Sequence, residues 1–401
     1  MRREKLGDSK AKILLFSSSK LEIFNAASVS FSPSNRIGII ACWYVWLGLG
    51  FIVLTAGACS VNNQLATQDS TLSQGSSHYH NGKFHNDDIM EANGFGKMLG
   101  LIGRYITEEK KHAVPDQPLP IKALSTEQLQ ALSNDQIHMV KLGHSSILLK
   151  VYGEFWLLDP VFSERASPFS FLGPKRFQQT PISIDDLPEI DKVLISHNHY
   201  DHLDKASVKK LADKTKQFLV PLGVEADLSR WGVEPSKVLS FDWWQELQTD
   251  NALVAFTPTK HFSGRALSDG NKSLWGSWVI KGAKESIYFS GDSGYFDGFK
   301  KIGEKYGPFD LTFIETGAYD KDWADIHMTP EQSLQAHLDL QGKVMVPVHN
   351  GTFDLAFHAW FEPLERVSKA ADEHNAVIRT PITGEIFNSE KQFVQTYWWK
   401  S

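Results

Sequence analysis

Short runs of apolar residues alternate with polar and turn-forming residues from about residue 137 to the end of the chain. Apolar runs of about four to eight residues between turn signals are typical of buried β-strands. The pattern predicts eleven strands, at residues 137–142, 147–151, 155–158, 193–196, 217–220, 237–241, 252–257, 277–280, 286–290, 311–314 and 343–348.

Three segments between or after these strands have the hydrophobic period of a helix. They predict helices at residues 205–214, 329–340 and 362–374. The second helix has a clear start signal, because Thr329 can cap it, Pro330 suits the first helical position and Gln332 completes a capping box. Many strands interrupted by helices predict a layered α/β sandwich.

Residues 37–58 differ from the rest of the chain, because these twenty-two residues are apolar and carry no charge. A run of this length can span a bilayer. Its small residues before Cys59 also resemble the end of a bacterial lipoprotein signal, after which that cysteine would carry lipid. Both interpretations place the protein at the membrane of a bacterial cell envelope. A buried core helix is the third interpretation, and it leaves a cytoplasmic location open.

Composition divides the chain into four parts. We expect an N-terminal leader at 1–59, a polar linker at 60–93, a lead-in at 94–136 and the folded body at 137–401. The net charge of −6 gives no basic surface for nucleic acid, so nucleic-acid binding is not expected. The two cysteines, Cys42 and Cys59, both precede the body, which therefore has no disulfide and no thiolate metal ligand.

The strand predicted at 193–196 runs directly into His197, His199, Asp201 and His202. Open α/β sheets place their chemistry at such carboxyl ends of strands. Imidazole and carboxylate groups together suit zinc best, with manganese or iron as weaker options. The segment therefore predicts a metal site.

Three more metal-binding residue types follow predicted strands: His261, Asp292 and His349. We expect His261 to join His197 and His199 at one ion, and His349 to join Asp201 and His202 at a second. Asp292 is expected to bridge the two, since one carboxylate can ligate two cations about 3.5–4 Å apart. Zinc lowers the pKa of bound water towards ≈ 7, so a metal-bridging hydroxide is the expected nucleophile.

These residues belong to a longer series of motifs that resembles the metallo-β-lactamase fold hydrolases. The series is closest to the branch of N-acyl-phosphatidylethanolamine-hydrolysing phospholipase D enzymes and their bacterial relatives, and it extends over about residues 137 to 386. The motifs that carry the resemblance are Leu142-Gly143-His144-Ser145, Leu158-Asp159-Pro160-Val161-Phe162, Arg165-Ala166-Ser167-Pro168, Gly173-Pro174-Lys175-Arg176-Phe177, the 195–204 stretch, Asp242-Trp243-Trp244, Leu274-Trp275-Gly276-Ser277-Trp278, Gly291-Asp292-Ser293-Gly294-Tyr295, Gly317-Ala318-Tyr319 and His349-Asn350-Gly351-Thr352-Phe353.

The resemblance implies an αββα sandwich with two zinc ions in the cleft between its sheets. It implies the same seven ligands, and an activity on the phosphodiester bond of N-acyl-phosphatidylethanolamine-like phospholipids, with Asp201, Asp292 and His327 as catalytic residues. Two positions depart from the branch. Ser293 stands where threonine is common, and Asn350 stands where an aromatic residue is common, which affects the expected shape of the substrate pocket.

Two further histidines have less certain roles in the sequence. His327 resembles a family histidine beside the reacting phosphate, where it would stabilise charge or move a proton, although a capping or packing role is also open. His144 follows a predicted strand and fits either a support of the metal ligands or a purely structural role.

Two alternatives to a phospholipase remain open at the sequence level. The same dimetal site attacks carbonyl carbon, which would make a lactonase or another ester hydrolase. The other is an exported metal- or lipid-binding protein without turnover. The body is also rich in aromatic residues, namely Trp243, Trp244, Trp275, Trp278, Phe299, Trp323, Trp360 and Phe361. We expect most of them to be core residues and a few at strand ends to line an apolar channel for an acyl chain.

Overall fold

The computed structural model describes residues 75–88, 100–101, 103–104, 107–266, 268–389 and 395–400. The leader predicted at 1–59, with its apolar segment, lies outside these residues. Within the part of the chain that is described, no helix is both long enough and apolar enough to cross a membrane.

Sixteen strands lie in the described residues. In chain order they are β1 (Tyr79–His80), β2 (Lys83–Phe84), β3 (Ile137–Gly143), β4 (Ser146–Val151), β5 (Glu154–Leu158), β6 (Ile190–Leu194), β7 (Thr215–Pro221), β8 (Val238–Phe241), β9 (Glu246–Gln248), β10 (Ala252–Thr257), β11 (Ser277–Gly282), β12 (Ser286–Phe289), β13 (Phe309–Glu315), β14 (Gly342–Val348), β15 (Val377–Ile378) and β16 (Ile386–Phe387).

Six α-helices connect or follow these strands within the same residues. They are α1 (Thr126–Gln130), α2 (Lys205–Leu211), α3 (Glu225–Arg230), α4 (Gly298–Tyr306), α5 (Pro330–Asp339) and α6 (Glu362–His374), and short 3₁₀ turns lie at Pro235–Lys237, Lys321–Trp323 and Trp398–Lys400.

Fourteen of the strands form two mixed sheets of seven strands each. The first sheet has the order β16-β3-β4-β5-β6-β7-β8, and the second has the order β15-β14-β13-β12-β11-β10-β9. Strands β5 to β8 run parallel in the first sheet, as β12 to β15 do in the second. All eleven predicted strands overlap strands of these two sheets.

Alternation of side chains along the strands gives each sheet two apolar faces. On β4, Leu149 belongs to the core between the sheets, whereas its neighbour Leu148 packs on the opposite side with Leu211 of α2. The second sheet has a matching outer layer, in which Tyr288 of β12 packs with Phe299 of α4. The result is the predicted α/β sandwich, with helices outside and two sheets inside.

The start signal predicted for the helix at residue 329 is present. The Thr329 hydroxyl accepts a hydrogen bond from the backbone N–H of Gln332, whose side chain returns to the Thr329 N–H. Helix α6 has the predicted bounds, whereas α2 ends at Leu211, three residues earlier than predicted. The predictions missed α1, α3 and α4.

Residues 75–88 differ from the polar linker expected at 60–93. Strands β1 and β2 form a two-stranded hairpin here, and the Phe84 side chain is fully buried in the core between the sheets. The rings of Tyr79 and Phe84 lie 4.8 Å apart, and the Phe84 N–H donates to the Asn271 carbonyl at 2.8 Å. One aromatic pair is enough to dock a hairpin whose other residues are polar, so the linker prediction is wrong for these residues.

Candidate metal centre

The predicted ligands meet at one edge of the sandwich, where strands of both sheets end. His197 follows β6 of the first sheet, while His261, Asp292 and His349 follow β10, β12 and β14 of the second. The segment from His197 onward turns sharply and enters α2, whose N-cap is Asp204. Carboxyl ends of strands from both sheets therefore supply the site, as the sequence predicted.

His197, His199, His261 and Asp292 form the first group, with ligand-type atoms all within 4.8 Å of one another. His199 Nδ1 lies 2.9 Å from His197 Nε2 and 3.2 Å from His261 Nε2. Asp292 Oδ2 lies 3.7 Å from His197 Nε2 and 3.8 Å from His261 Nε2. Ligands of a tetrahedral zinc ion with Zn–N distances of 2.0–2.1 Å would be about 3.3 Å apart, so this group fits such an ion.

The second group contains His144, Asp201, His202 and His349. Asp201 Oδ2 lies 3.2 Å from His349 Nε2 and 3.7 Å from His202 Nε2. Asp292 joins this group too, with Oδ1 3.1 Å from His202 Nε2 and Oδ2 3.2 Å from His349 Nε2. The Asp292 carboxylate thus lies between the two groups, in the position expected of a bridging ligand.

Three histidines are oriented by hydrogen bonds on the side of the ring away from the cluster. Nδ1 of His197 bonds to the Ser196 hydroxyl at 2.9 Å, and Nδ1 of His261 bonds to the Ile326 carbonyl at 3.0 Å. Nδ1 of His202 bonds to Asp159 Oδ2 at 2.7 Å. Such bonds fix the tautomer so that Nε2 points to the metal, a recurrent feature of histidine ligands.

Four buried atoms of these groups have no hydrogen-bond partner of acceptable geometry: Nδ1 of His144 and of His349, and His202 Nε2 and Asp292 Oδ1, which face each other at 3.1 Å. Buried polar atoms are nearly always satisfied in proteins, so atoms left without a partner indicate a place for a ligand. Together with the donor set and its spacing, they indicate that the residues present fit divalent metal binding.

Burial and charge set the protonation of the cluster. Burial lowers the pKa of His197 and His261 well below the ordinary value, and it lowers the pKa of His199 to about 4. Burial acts in the same direction on His349, but the carboxylates of Asp292 and Asp201 outweigh it and raise its pKa to about 10. Cations and protons therefore compete for the second group, and cation binding should release protons.

His144 supports the second group by a hydrogen bond. Its Nε2 lies 3.1 Å from Asp201 Oδ2, and burial, followed by the neighbouring His349, lowers its pKa to about 3. A neutral His144 therefore donates from Nε2 to Asp201. Of the two roles left open by the sequence, this geometry favours support of a ligand.

Two acidic residues at the site were given no role from the sequence, although Asp159 lies in one of the motifs that carry the resemblance. Asp159 is fully buried and accepts hydrogen bonds from the Ser196 N–H at 2.7 Å and from His202. Glu315, at the end of β13, is also fully buried, and its Oε2 lies 2.8 Å from His327 Nδ1. Both follow or end a predicted strand, which is the signal that would have identified them.

A cavity of about 430 Å³ opens directly on the cluster. His199, Asp201, Asp292, His327 and His349 contribute to its floor. Its other walls are mainly apolar and come from Leu101, Phe262, Ala318, Trp323, Ile326 and Leu355, together with the acidic Asp322. Of the eight aromatic candidates for an acyl channel, Trp323 lines this cavity, whereas Trp243, Trp275, Trp278 and Phe299 are core residues.

Comparison with known proteins agrees with this architecture. The family described as "Beta-lactamase superfamily domain" matches residues 156–350. The structure of a metallo hydrolase from Ignicoccus hospitalis has a TM-score of 0.50 and 23% identity, covering 64% of this chain and 99% of that one. At this identity the likeness shows a common fold.

Two relatives extend the likeness over most of the chain. An uncharacterized protein of Mycobacterium tuberculosis is 39% identical over 334 residues, which are 82% of this chain and 89% of the relative. The N-acyl-phosphatidylethanolamine-hydrolyzing phospholipase D 1 of Caenorhabditis elegans is 33% identical over 272 residues, which are 65% of this chain and 76% of the relative. The chain therefore belongs to the metal-dependent hydrolases of the beta-lactamase superfamily, in the branch that contains the N-acyl-phosphatidylethanolamine-hydrolysing phospholipases D.

Proposed function

We propose that the protein is a dizinc phosphodiesterase that hydrolyses N-acyl-phosphatidylethanolamine-like phospholipids by a phospholipase D-type cleavage. The observation that carries this proposal is the position of the two histidine–carboxylate groups. They share Asp292 and form the floor of a cavity whose walls are mainly apolar. A charged phosphodiester joined to acyl chains has the same division between a polar centre and apolar surroundings.

In this proposal His197, His199 and His261 would hold one zinc ion, Asp201, His202 and His349 would hold the other, and Asp292 would contribute to both sites. Two bound divalent cations would supply Lewis-acid stabilisation of phosphoryl charge and would acidify a water molecule for attack. The histidine-rich donor set favours zinc over magnesium or calcium, which prefer oxygen ligands.

His327 is the residue of this chain best placed to handle a proton near the reacting phosphate. It lines the cavity, its ring centre lies 5.3 Å from those of His261 and His349, and Glu315 holds its Nδ1. Nε2 is therefore the atom that can face a substrate. We propose that it stabilises charge on the phosphoryl group or donates a proton to the leaving alkoxide.

The apolar walls supply binding and exclusion of water. Phe262 packs edge-on against His199, with ring centres 4.5 Å apart, so apolar surface begins directly beside an expected ligand. A water-excluded site strengthens the electrostatic interactions inside it. This arrangement supports a lipid substrate more strongly than a small hydrophilic ester.

The experiment that tests the proposed function uses the purified full chain and three substrates. These are N-acyl-phosphatidylethanolamine in mixed micelles, a soluble chromogenic phosphodiester and a lactone, each measured with and without a chelator. We expect chelator-sensitive hydrolysis of both phosphodiesters, restored by zinc, and about two zinc ions per chain by elemental analysis. Lactone hydrolysis without phosphodiester hydrolysis would instead support an ester hydrolase, and absence of all turnover would support a binding protein.

We also propose that the residues before the body tether the enzyme to the membrane. The uncharged segment 37–58 and Cys59 support this proposal at the level of sequence. A lipidated Cys59 predicts that labelled fatty acid enters the wild type but not Cys59→Ser. A full-length, unlabelled protein in the membrane fraction would support an uncleaved anchor, and a full-length soluble protein would contradict both forms of tether.

A further inference from the structure

A narrow loop at residues 164–176 projects from the edge of the fold that carries the metal centre. Two backbone hydrogen bonds close its neck: Ala166 N–H donates to the Pro174 carbonyl at 3.1 Å, and Arg176 N–H donates to the Glu164 carbonyl at 2.9 Å. The neck is therefore a short hairpin with a defined direction.

Close packing also fixes the end of this loop, residues 167–173, which we call the aromatic tip. The Arg165 guanidinium donates to the Gly173 carbonyl at 2.5 Å. Gly173 has φ of +99°, and a Cβ there would lie 2.6 Å from the Ser167 Cβ. Only glycine allows this turn and this close approach at the same time, so the conformation of the tip depends on Gly173.

The tip presents apolar side chains to solvent. Phe171 is 71% exposed and Phe169 is 37% exposed, and their rings lie 5.6 Å apart. The two rings form one exposed apolar patch at the end of a fixed loop, which makes the tip a candidate contact surface.

The base of the loop is joined to two of the four segments that carry expected metal ligands. Ser163 N–H donates to Asp204 Oδ2 at 3.0 Å, just beyond the His197–His202 segment. Phe177 N–H donates to the Thr352 carbonyl at 2.9 Å, three residues after His349. The aromatic tip and the metal centre therefore lie on the same edge of the protein.

We propose that the aromatic tip enters the interfacial layer of a phospholipid bilayer and orients the metal-centre edge towards the membrane. Phenylalanine is among the apolar residues that bury at the boundary between headgroups and acyl chains, and basic residues beside it attract anionic headgroups. Lys175 is exposed at the base of the tip, and Arg165 is half-buried beside it. The tip thus places apolar groups at its end, and the neck behind it carries Lys175 and Arg165 together with the exposed acidic residue Glu164.

The size of the tip favours a bilayer over a protein partner. Two phenylalanines at these exposures offer about 200 Å² of apolar surface, since an aromatic side chain buries about 150–250 Å² in full. A specific protein interface needs about 800 Å² from each partner. A bilayer has no such minimum, because it adapts to a small inserted loop.

This inference deepens the proposed function, since a phospholipase must take its substrate from a membrane, but photo-crosslinking tests it without any turnover. The photoreactive residue benzoylphenylalanine is placed at Phe171 of the full chain, which is bound to vesicles of phosphatidylethanolamine and phosphatidylglycerol. The matched control carries it at Val377, which is 55% exposed on β15. Val377 pairs with Val344, near the end of β14 opposite His349.

We expect at least fivefold more lipid adduct at Phe171 than at Val377. Any N-terminal tether is the same in both variants, so the difference reports the tip alone. Equal labelling would overturn the proposal. Crosslinked protein dimers at Phe171 in place of lipid adducts would also overturn it, in favour of contact with a second copy of the chain.

Kinetics supply the second measurement. The double variant Phe169→Ser, Phe171→Ser should hydrolyse vesicle-borne N-acyl-phosphatidylethanolamine about tenfold more slowly than the wild type, because the tip loses its apolar contact with the bilayer. Its rate on the soluble chromogenic phosphodiester should stay within twofold, and Val377→Ser should change neither rate.

Equal slowing on both substrates would overturn the proposal, because the tip would then support the metal centre itself. A wild-type rate on vesicles would overturn it too. A wild-type protein that hydrolyses neither substrate would contradict the proposed function, while the crosslinking result would still decide the role of the tip.

Discussion

The carboxylate of Glu315 holds the imidazole of His327, with Glu315 Oε2 2.8 Å from His327 Nδ1. The other oxygen of Glu315 accepts the Met328 N–H at 2.7 Å, so one buried side chain fixes both the ring and the backbone that carries it. Burial raises the pKa of Glu315, although His327 opposes the rise. Glu315 therefore orients the His327 ring through its Nδ1, and Nε2 remains to face the cavity.

His327→Ala should lower turnover of a phosphodiester while zinc content stays at the wild-type value. Loss of a positioned proton donor typically costs about 10²–10⁴-fold in rate. Glu315→Gln keeps the shape of the pair but not its charge, so we expect a smaller loss. Turnover and zinc content are measured on the same preparations, and a loss of zinc in His327→Ala would place His327 among the ligands or their supports.

Asp292→Ala should lower zinc content below two ions per chain and remove most activity. Its carboxylate contacts histidines of both groups, with Oδ1 3.1 Å from His202 Nε2 and Oδ2 3.2 Å from His349 Nε2. Asp310→Asn is the matched control, because Asp310 lies at the start of β13, away from the cluster. Near-wild-type turnover in Asp292→Ala would contradict a bridging role.

The sequence predicted the parts of the fold and of the site that depend on local pattern. The strands that build the two sheets have apolar runs between turn signals, and the His197–His202 segment has its ligand types within six positions. The structure brings the seven predicted ligands together at one edge. Their role as zinc ligands stays a prediction.

The features that the sequence did not predict have no distinctive local sequence pattern. Helix α4 contains Gly298 and Gly303, which lower helix propensity, and Gly303 lies so close to Leu340 that a Cβ would meet its Cα at 2.9 Å. The formation of α4 therefore depends on its packing against the end of α5. Asp159 and Glu315 are single carboxylates, and only the three-dimensional fold shows which histidine each one contacts.

Asp159→Asn should weaken zinc binding at the second group by about 10–100-fold, the usual cost of removing a hydrogen-bond partner of a histidine ligand. Asp159 holds His202 Nδ1 at 2.7 Å and the Ser196 hydroxyl at 2.5 Å. An amide in its place would weaken acceptance of the His202 proton and loosen the ring. Competition with a zinc-binding dye measures the affinity, and unchanged affinity for both ions would contradict this role.

Arg265→Met should destabilise the ligand segment without touching a ligand. Arg265 Nη1 donates to the carbonyls of Asn198 and Leu203, each at 2.7 Å, and its guanidinium lies 4.0 Å from the Tyr200 ring centre. The two carbonyls flank His199, Asp201 and His202. The Arg265 side chain therefore holds together the two ends of the segment that carries these ligands.

The expected result for Arg265→Met is a lower melting temperature and weaker zinc binding, with a smaller rise in melting temperature on adding zinc than in the wild type, because a more weakly bound ion stabilises the fold less. Arg230→Met is the control, because Arg230 and Arg265 line a common surface cavity beside α3, but Arg230 pairs with Asp227 and does not bond to the ligand segment. Equal effects of the two substitutions would show that Arg265 contributes only general packing.

His337 should make the protein less stable in acid, independently of the metal centre. It is 1% exposed, and its Nδ1 bonds to the Thr312 hydroxyl at 2.7 Å. Burial lowers its pKa from 6.5 to about 4. The unfolded chain therefore binds a proton that the folded chain rejects, so the stabilising contribution is complete above pH 6.5 and is lost as the pH falls towards 4. At 1.36 kcal/mol for each pKa unit, the loss amounts to about 3 kcal/mol.

His337→Asn keeps a hydrogen-bonding group near Thr312 and removes the titration. Denaturant unfolding between pH 7 and about 4 should show a smaller slope of unfolding free energy with pH in the variant than in the wild type. Identical slopes would show that His337 does not titrate in this range.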